Sequence, residues 1–163
     1  QIVLRYADVL LMYAGNLLME SVHVAHDAFV GNDCIIGNGT KLAGEIIIDD
    51  HAIISANVLM HQFCRVGGYT MVGGGTRFSQ DIPPYTICAR EPVAYCGLNL
   101  VGLRRRGFSN ELIENIHNAY RIIYQGGVPL NEALQKVREE VPASPEINYI
   151  IEFIENSKRG FVH

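Results

Sequence analysis

Two histidines three residues apart, His23 and His26 in the segment VHVAHD, are the first groups in this chain that could do chemistry. A neutral imidazole can take a proton from a hydroxyl near pH 7. Paired histidines can also hold a metal, but a zinc site needs three or four ligands in a roughly tetrahedral array. Eighteen residues beyond His23 stands Lys41, and eighteen beyond His26 stands Gly44; neither supplies a ligating side chain. The series His26, Gly44, Gln62 suits a different chemistry. If residues eighteen apart stack, the bare glycine N–H lies about 4.8 Å from a base. There it can receive a developing oxyanion. Gln62 adds an amide one level further on, with His61 as its neighbour. Base, oxyanion donor and amide in one groove are the parts of acyl transfer to a hydroxyl. The simpler alternative is that His26 only caps a corner.

Stacking at eighteen follows from a rhythm of six. From Leu18 the sixth residues are Val24, Val30, Ile36, Leu42, Ile48, Ile54, Met60, Val66, Val72 and Phe78, all apolar. At 48% apolar content eleven such hits in a row arise by chance roughly once in several thousand trials per phase. No helix or alternating strand has this period. A second column, four residues after each anchor, is compact or β-branched: Val22, Ala28, Cys34, Thr40, Ile46, Ala52, Val58, Cys64, Thr70, Thr76. The pattern predicts short strands separated by bends, with one apolar residue per hexad turned inward and a smaller one beside it. Three hexads close a triangular coil of a parallel β-helix. Cys34 and Cys64 fall in the second column and read as core filling.

The whole-chain composition agrees. With 163 residues there is room for one domain plus a small appendage, and 18% charged residues argue against wholesale disorder. A net charge of −4 argues against nucleic acid as the main partner. No apolar run approaches the ~20 residues of a membrane-spanning helix, and no signal-peptide pattern opens the chain. The four cysteines include no C-x-x-C pair and read as free cytosolic thiols. Sixteen glycines beside six prolines and no tryptophan suggest many tight corners.

The rhythm stops at Ile82-Pro83-Pro84-Tyr85, because proline has no N–H for a ladder. Residues 85–108 read as an irregular connector. From Ser109 the period becomes helical, with Leu112, Ile113, Ile116, Ala119, Tyr120, Ile123 and Tyr124 on one face, Ser109 as N-cap and Gly126-Gly127 as terminator. A second helix is expected near Leu130–Val141 and a third after Ser144-Pro145. The expected organisation is therefore a β-helix over 15–84, a connector over 85–108 and a three-helix appendage over 109–163. Residues 1–14 fit neither pattern. Ile2, Tyr6, Val9, Leu10 and Tyr13 suggest an amphipathic helix. That segment resembles a helix of starch-utilisation outer-membrane lipoproteins, so a foreign join near Gly15 is expected; a divergent opening coil is the alternative.

Several motifs in order carry a more specific resemblance: NLLMESVHVAHD, LAG at 42–44, HQFC at 61–64, MVGG at 71–74, QDIPPY at 80–85 and GLRRRGFS at 102–109. Over about Asn16–His163 the chain resembles the acyl-[acyl-carrier-protein]–UDP-N-acetylglucosamine O-acyltransferases. The resemblance implies a left-handed β-helix, a homotrimer with sites between subunits, and transfer of a 3-hydroxyacyl chain from acyl carrier protein to the sugar 3-hydroxyl. That reaction opens lipid A synthesis in the cytoplasm and uses no cofactor. His26 then corresponds to the general base, Asp27 to its orienting partner and the Gly44 N–H to the oxyanion donor. His23, His61 and Gln62 correspond to groups around the sugar nucleotide and acyl chain. Asn99, Arg105 and Arg106 correspond to groups that meet the nucleotide and its phosphates, an anion clamp by chemistry. Met71, Gly73 and Gly74 would line the far end of an acyl groove. Glu45 and Tyr69 stand where the family often has histidine, and Pro92 lies near another such position. Further amino-terminal coils of the family are expected to be missing here. A related N-acyltransferase and a non-catalytic trimeric scaffold are the competing readings.

Overall fold

In a computed structural model the described residues are 10–163. They form two compact units: residues to Asn99 together with Ser157–Val162, and Leu100–Asn156 with His163.

The first unit is a parallel β-solenoid. Its twelve shortest strands hold two residues each: β1 Leu11–Met12, β2 Leu17–Leu18, β3 His23–Val24, β4 Phe29–Val30, β5 Ile35–Ile36, β6 Lys41–Leu42, β7 Ile47–Ile48, β8 Ile53–Ile54, β9 Leu59–Met60, β10 Arg65–Val66, β11 Met71–Val72 and β12 Arg77–Phe78. They stack into three faces. The first is β1-β4-β7-β10, the second carries β2-β5-β8-β11, and the third is β3-β6-β9-β12. Every paired strand lies eighteen residues from its partner, as Phe29↔Ile47 and His23↔Lys41 illustrate.

The sequence dictates the corners. Every sixth residue from Gly15 to Gly75 has a left-handed backbone, with φ between 52° and 75°. Glycine occupies only some of these corners; Ser21, Asp27, Asp33, Glu45, His51, Asn57, Phe63 and Tyr69 hold others. Single left-handed residues are tolerated where the ladders on both sides fix them. Between corners the second residue of each strand turns inward. Val30, Ile36, Leu42, Ile48, Ile54, Val66 and Val72 are all fully buried. The compact column is buried too, from Ala28 and Cys34 through Thr70 and Thr76. Burial pushes the thiols of Cys34 and Cys64 up to about 11. They stay protonated and serve as packing, as the repeat implies.

Three expectations need correction. Leu11–Met12 is a strand paired in parallel with Phe29–Val30, not part of a helix. Met12 lies one hexad before Leu18, so the rhythm starts earlier than the pattern suggested. The rest of the helix expected over 1–14, up to residue 9, lies outside the described residues.

Residues 85–108 are also ordered. β13 Thr86–Ala89 continues the second face beside β11, and β14 Ala94–Leu98 pairs with it in antiparallel fashion. The step from Phe78 to Ile82 is two residues short of a hexad, so Ile82 bridges Val66, Val72 pairs with Cys88, and the six-residue phase is shifted. Helix α1 spans Leu100–Arg105 and ends at Gly107, whose φ of 82° reverses the chain.

Finally, the end of the chain leaves the helices. Val162 donates to the Asp81 carbonyl, Asp81 donates to the Gly160 carbonyl, both at 2.9 Å, and Arg159 Nε donates to the Ser79 carbonyl at 2.7 Å. Residues 157–162 thereby pack with the solenoid.

The second unit holds α1 and the three expected helices: α2 Asn110–Gln125, α3 Leu130–Glu140 and α4 Pro145–Glu155. Ser109 and Ser144 cap α2 and α4 by accepting from Leu112 N and Ile147 N. Their apolar faces are buried through Ile113, Ile116, Tyr120, Leu134, Ile150 and Phe153. Leu130, the first residue of α3, is 39% exposed. Among the described residues no helix is long and apolar enough to cross a membrane.

Candidate active site

His26 and Gly44 occupy the corner between the third and first faces on successive coils. The ladder that joins the coils runs through them: Glu45 N donates to the His26 carbonyl at 2.9 Å, and Phe63 N donates to the Gly44 carbonyl at 3.2 Å. Gln62 is therefore on the next coil of the same column. The column read at eighteen-residue spacing exists.

The His26 ring lies over Gly44. A Cβ placed on Gly44 would stand 2.6 Å from both Cε1 and Nε2 of the imidazole. Glycine is required here for space, since its φ is not left-handed. Gly44 is buried, and among the described residues its N–H donates to no other group. On the other side of the ring, His26 Nδ1 lies 2.9 Å from Asp27 Oδ2. An Nδ1–H donated to Asp27 leaves the lone pair of a neutral ring on Nε2, the atom beside Gly44. His26 and Asp27 are 50% and 48% exposed, so the pair faces solvent.

The other expected site residues distribute as follows. His23 and Lys41 point outward from the third face, in register. His61 Nδ1 lies 3.0 Å from the Gln62 carbonyl oxygen. His61 also lines a groove of about 420 Å³ with Leu59, Met60, Arg77, Phe78, Ser79 and Glu91. That groove belongs to the end of the third face, beyond His26. Met71 is on the second face, and Gly73 and Gly74 are at the corner where it meets the third, so one chain does not bring them to the His26 corner. Gly73 has a local reason to be glycine: a Cβ there would meet Ala89 Cβ at 2.6 Å. Asn99 is buried, and its Nδ2 donates to the Tyr69 carbonyl at 3.0 Å, which ties the hairpin to the solenoid. Arg105 and Arg106 are exposed at the end of α1, in the second unit. Among the described residues no group of three or more His, Cys, Asp or Glu side chains could hold a metal ion.

Sequence reasoning passed over two features. Arg77 and Glu91 line the groove, but Glu91 arrives only through the hairpin, which carries no repeat signal. Asp33, His51, Tyr69 and Tyr85 form a ladder along the corner between the first and second faces. His51 lies 3.5 Å from Asp33 Oδ2, and its ring centroid is 4.7 Å from that of Tyr69, which is 5.7 Å from that of Tyr85. The eighteen-residue spacing of the first three would have revealed it.

Comparison with known proteins follows the same lines. Domain 2 of the UDP N-acetylglucosamine O-acyltransferase family matches residues 81–162, about half of the chain. An acyl-[acyl-carrier-protein]–UDP-N-acetylglucosamine O-acyltransferase of Aliivibrio salmonicida is 40% identical over 147 residues, which is 90% of this chain and 56% of that protein. One from Ectopseudomonas mendocina is 39% identical over 145 residues, 89% of this chain and 56% of that protein. The crystal structure of a UDP-N-acetylglucosamine acyltransferase from Bacteroides fragilis superposes with a TM-score of 0.88 at 72% identity, over 91% of this chain and 58% of that one. The Arabidopsis UDP-N-acetylglucosamine acyltransferase gives 0.86 at 33% identity, over 91% and 55%. The chain thus spans a little over half the length of these relatives. The solenoid is a left-handed parallel β-helix like theirs, and the chain belongs to the UDP-N-acetylglucosamine O-acyltransferase family.

Proposed function

We propose that the chain transfers a 3-hydroxyacyl group from acyl carrier protein to the 3-hydroxyl of UDP-N-acetylglucosamine, the opening step of lipid A synthesis in the cytoplasm. The observation that carries this reading is the His26 ring held between Asp27 and the bare Gly44. His26 Nε2 removes the proton from the sugar hydroxyl while that oxygen attacks the thioester carbonyl. The Gly44 N–H receives the oxyanion of the tetrahedral intermediate. Collapse breaks the C–S bond, and the departing carrier thiolate takes the proton from the imidazolium. Asp27 fixes the tautomer and stabilises the imidazolium between these steps.

His23, His61, Gln62, Asn99, Arg105 and Arg106 are assigned to the sugar nucleotide and its phosphates, and Met71, Gly73 and Gly74 to the acyl chain. The names of the relatives support both substrates. Outward-facing residues support a homotrimer. The second face presents Leu17, Ile35, Ile53, Met71 and Ile87 in one registered column, and the first presents Leu11, Phe29, Ile47 and then Arg65. The third presents His23, Lys41, Leu59 and Arg77. The wholly apolar column of the second face and the three apolar rungs of the first suit subunit packing.

Calorimetric binding of UDP-N-acetylglucosamine, followed by a carrier-dependent transfer assay, tests the reading. Binding and an O-acylated product are expected. No binding at millimolar nucleotide would favour the scaffold, and transfer only to an amine-bearing sugar nucleotide would favour the N-acyltransferase.

A further inference from the structure

Glu45 is a titratable residue at the His26 corner to which the reaction above gives no task. It lies eighteen residues after Asp27, and the two share the left-handed corner conformation, with φ of 55° and 57°. Its N–H donates to the His26 carbonyl at 2.9 Å, so it is bonded to the residue it would influence. Equivalent atoms of successive coils lie about 4.8 Å apart. The corner therefore carries two carboxyl residues in one column. Asp27 contacts Nδ1 of the ring. Glu45 follows Gly44, over which the rest of the ring lies. Glu45 is exposed, and among the described residues its side chain makes no hydrogen bond or ion pair.

Among the described residues the charged groups near this corner are few. On the third face His23 and Lys41 point outward, and Lys41 Nζ donates to the Ser21 carbonyl at 3.0 Å, at the opposite edge of that face. On the first face the neighbouring strands present Phe29 and Ile47, which carry no charge, and then Arg65, whose guanidinium pairs with Asp49 at 2.8 Å. The next coil brings His61 and the neutral Gln62 to the same corner.

We propose that Glu45 is an electrostatic positioning residue that, with Asp27, raises the proton affinity of the His26 imidazole and so sets the pH above which the base becomes available. The proposal rests on His26 being the base. Negative charge beside an imidazole favours its protonated form. Because the ring is half exposed, the effect of Glu45 is modest and salt-sensitive. Removing that charge lowers the His26 titration midpoint and makes the neutral ring available at lower pH.

The experiment is an NMR titration of the His26 imidazole in the full chain, assigned with a His26→Gln variant, in wild type, Glu45→Gln and Glu45→Asp. The pH profile of kcat/KM is measured on the same proteins. In low salt the midpoint is expected to fall by about 0.3–0.7 unit in Glu45→Gln. It should stay near wild type in Glu45→Asp, and the Gln effect should shrink to half or less in about 0.5 M salt. The acid limb of kcat/KM moves by the same amount. A midpoint unchanged in Glu45→Gln at low salt, or one that rises, overturns the proposal even if transfer is active. A midpoint that falls as expected in a protein that transfers no acyl group sustains the coupling and overturns the functional reading instead.

Discussion

The imidazole of His26 fills the space where Gly44 would carry a side chain, 2.6 Å from the position of an added Cβ. This contact links the repeat to the chemistry. An eighteen-residue coil places residue 44 on the rung after residue 26, and the absence of a side chain at 44 lets the ring lie over the backbone with Asp27 at its Nδ1.

Gly44→Ala should accordingly push the ring off its site. Because His26 is half exposed, the ring can swing outward without disrupting the core. Turnover is expected to fall by roughly 10–10²-fold, as for a misplaced catalytic group, with the melting temperature within a few degrees of wild type. Steady-state kinetics and a thermal melt on one preparation check this; full activity would mean the contact is incidental.

The end of the solenoid has its own pH signature. Asp81 is buried, accepts from Arg65 N at 2.8 Å and exchanges backbone bonds with the 157–162 segment. Desolvation holds its carboxyl above the ordinary value of 3.8, and the Arg65 N–H, Ser157, and the Arg65 and Arg159 charges only partly oppose it. The native state therefore holds this proton more tightly than the unfolded chain does. The Asp81 contribution to stability declines as pH rises from about 3.8 to the folded value and is level above it. Asp81→Asn keeps an acceptor for Arg65 and removes the titration. Its melting temperature should rise relative to wild type as pH goes from about 4 to 7; a constant difference would refute the assignment.

Two buried threonines of one column should respond oppositely. Thr40 Oγ1 donates to the Ser55 carbonyl at 2.8 Å and accepts from Val58 N at 3.2 Å. Thr76 Oγ1 is buried without a partner among the described residues. Thr40→Val should cost about 1–3 kcal/mol, since it strands buried polar groups, while Thr76→Val should be neutral or stabilising by about 1 kcal/mol. Denaturant unfolding measures both, and equal losses would contradict the hydrogen-bond account.

How much of this was legible depended on repetition. The hexad placed Val30, Ile48 and Val66 inward on one face, and the spacing of eighteen put Gly44 beside His26, because each coil repeats one local solution. Ser109, Gly126 and Ser144-Pro145 marked the helices α2 and α4 through capping chemistry that is also local. What was hidden depends on distant partners. The short step from Phe78 to Ile82 shifts Cys88 out of phase, so the strand at 86–89 was invisible to the period. The segment 157–162 finds Asp81 about eighty residues away, with no pattern to announce it. Leu11–Met12 was masked by apolar neighbours that also fit a helix. Within the site, the His26 column was readable, whereas the groove needed Glu91 from the hairpin.

The most direct measurement is the rate of acyl transfer from carrier protein to UDP-N-acetylglucosamine by wild type and His26→Ala, with nucleotide binding measured in parallel. The account predicts that turnover falls by about 10²–10⁴-fold while nucleotide affinity changes little. Turnover within a few-fold of wild type would remove His26 from the mechanism and contradict the account at its centre.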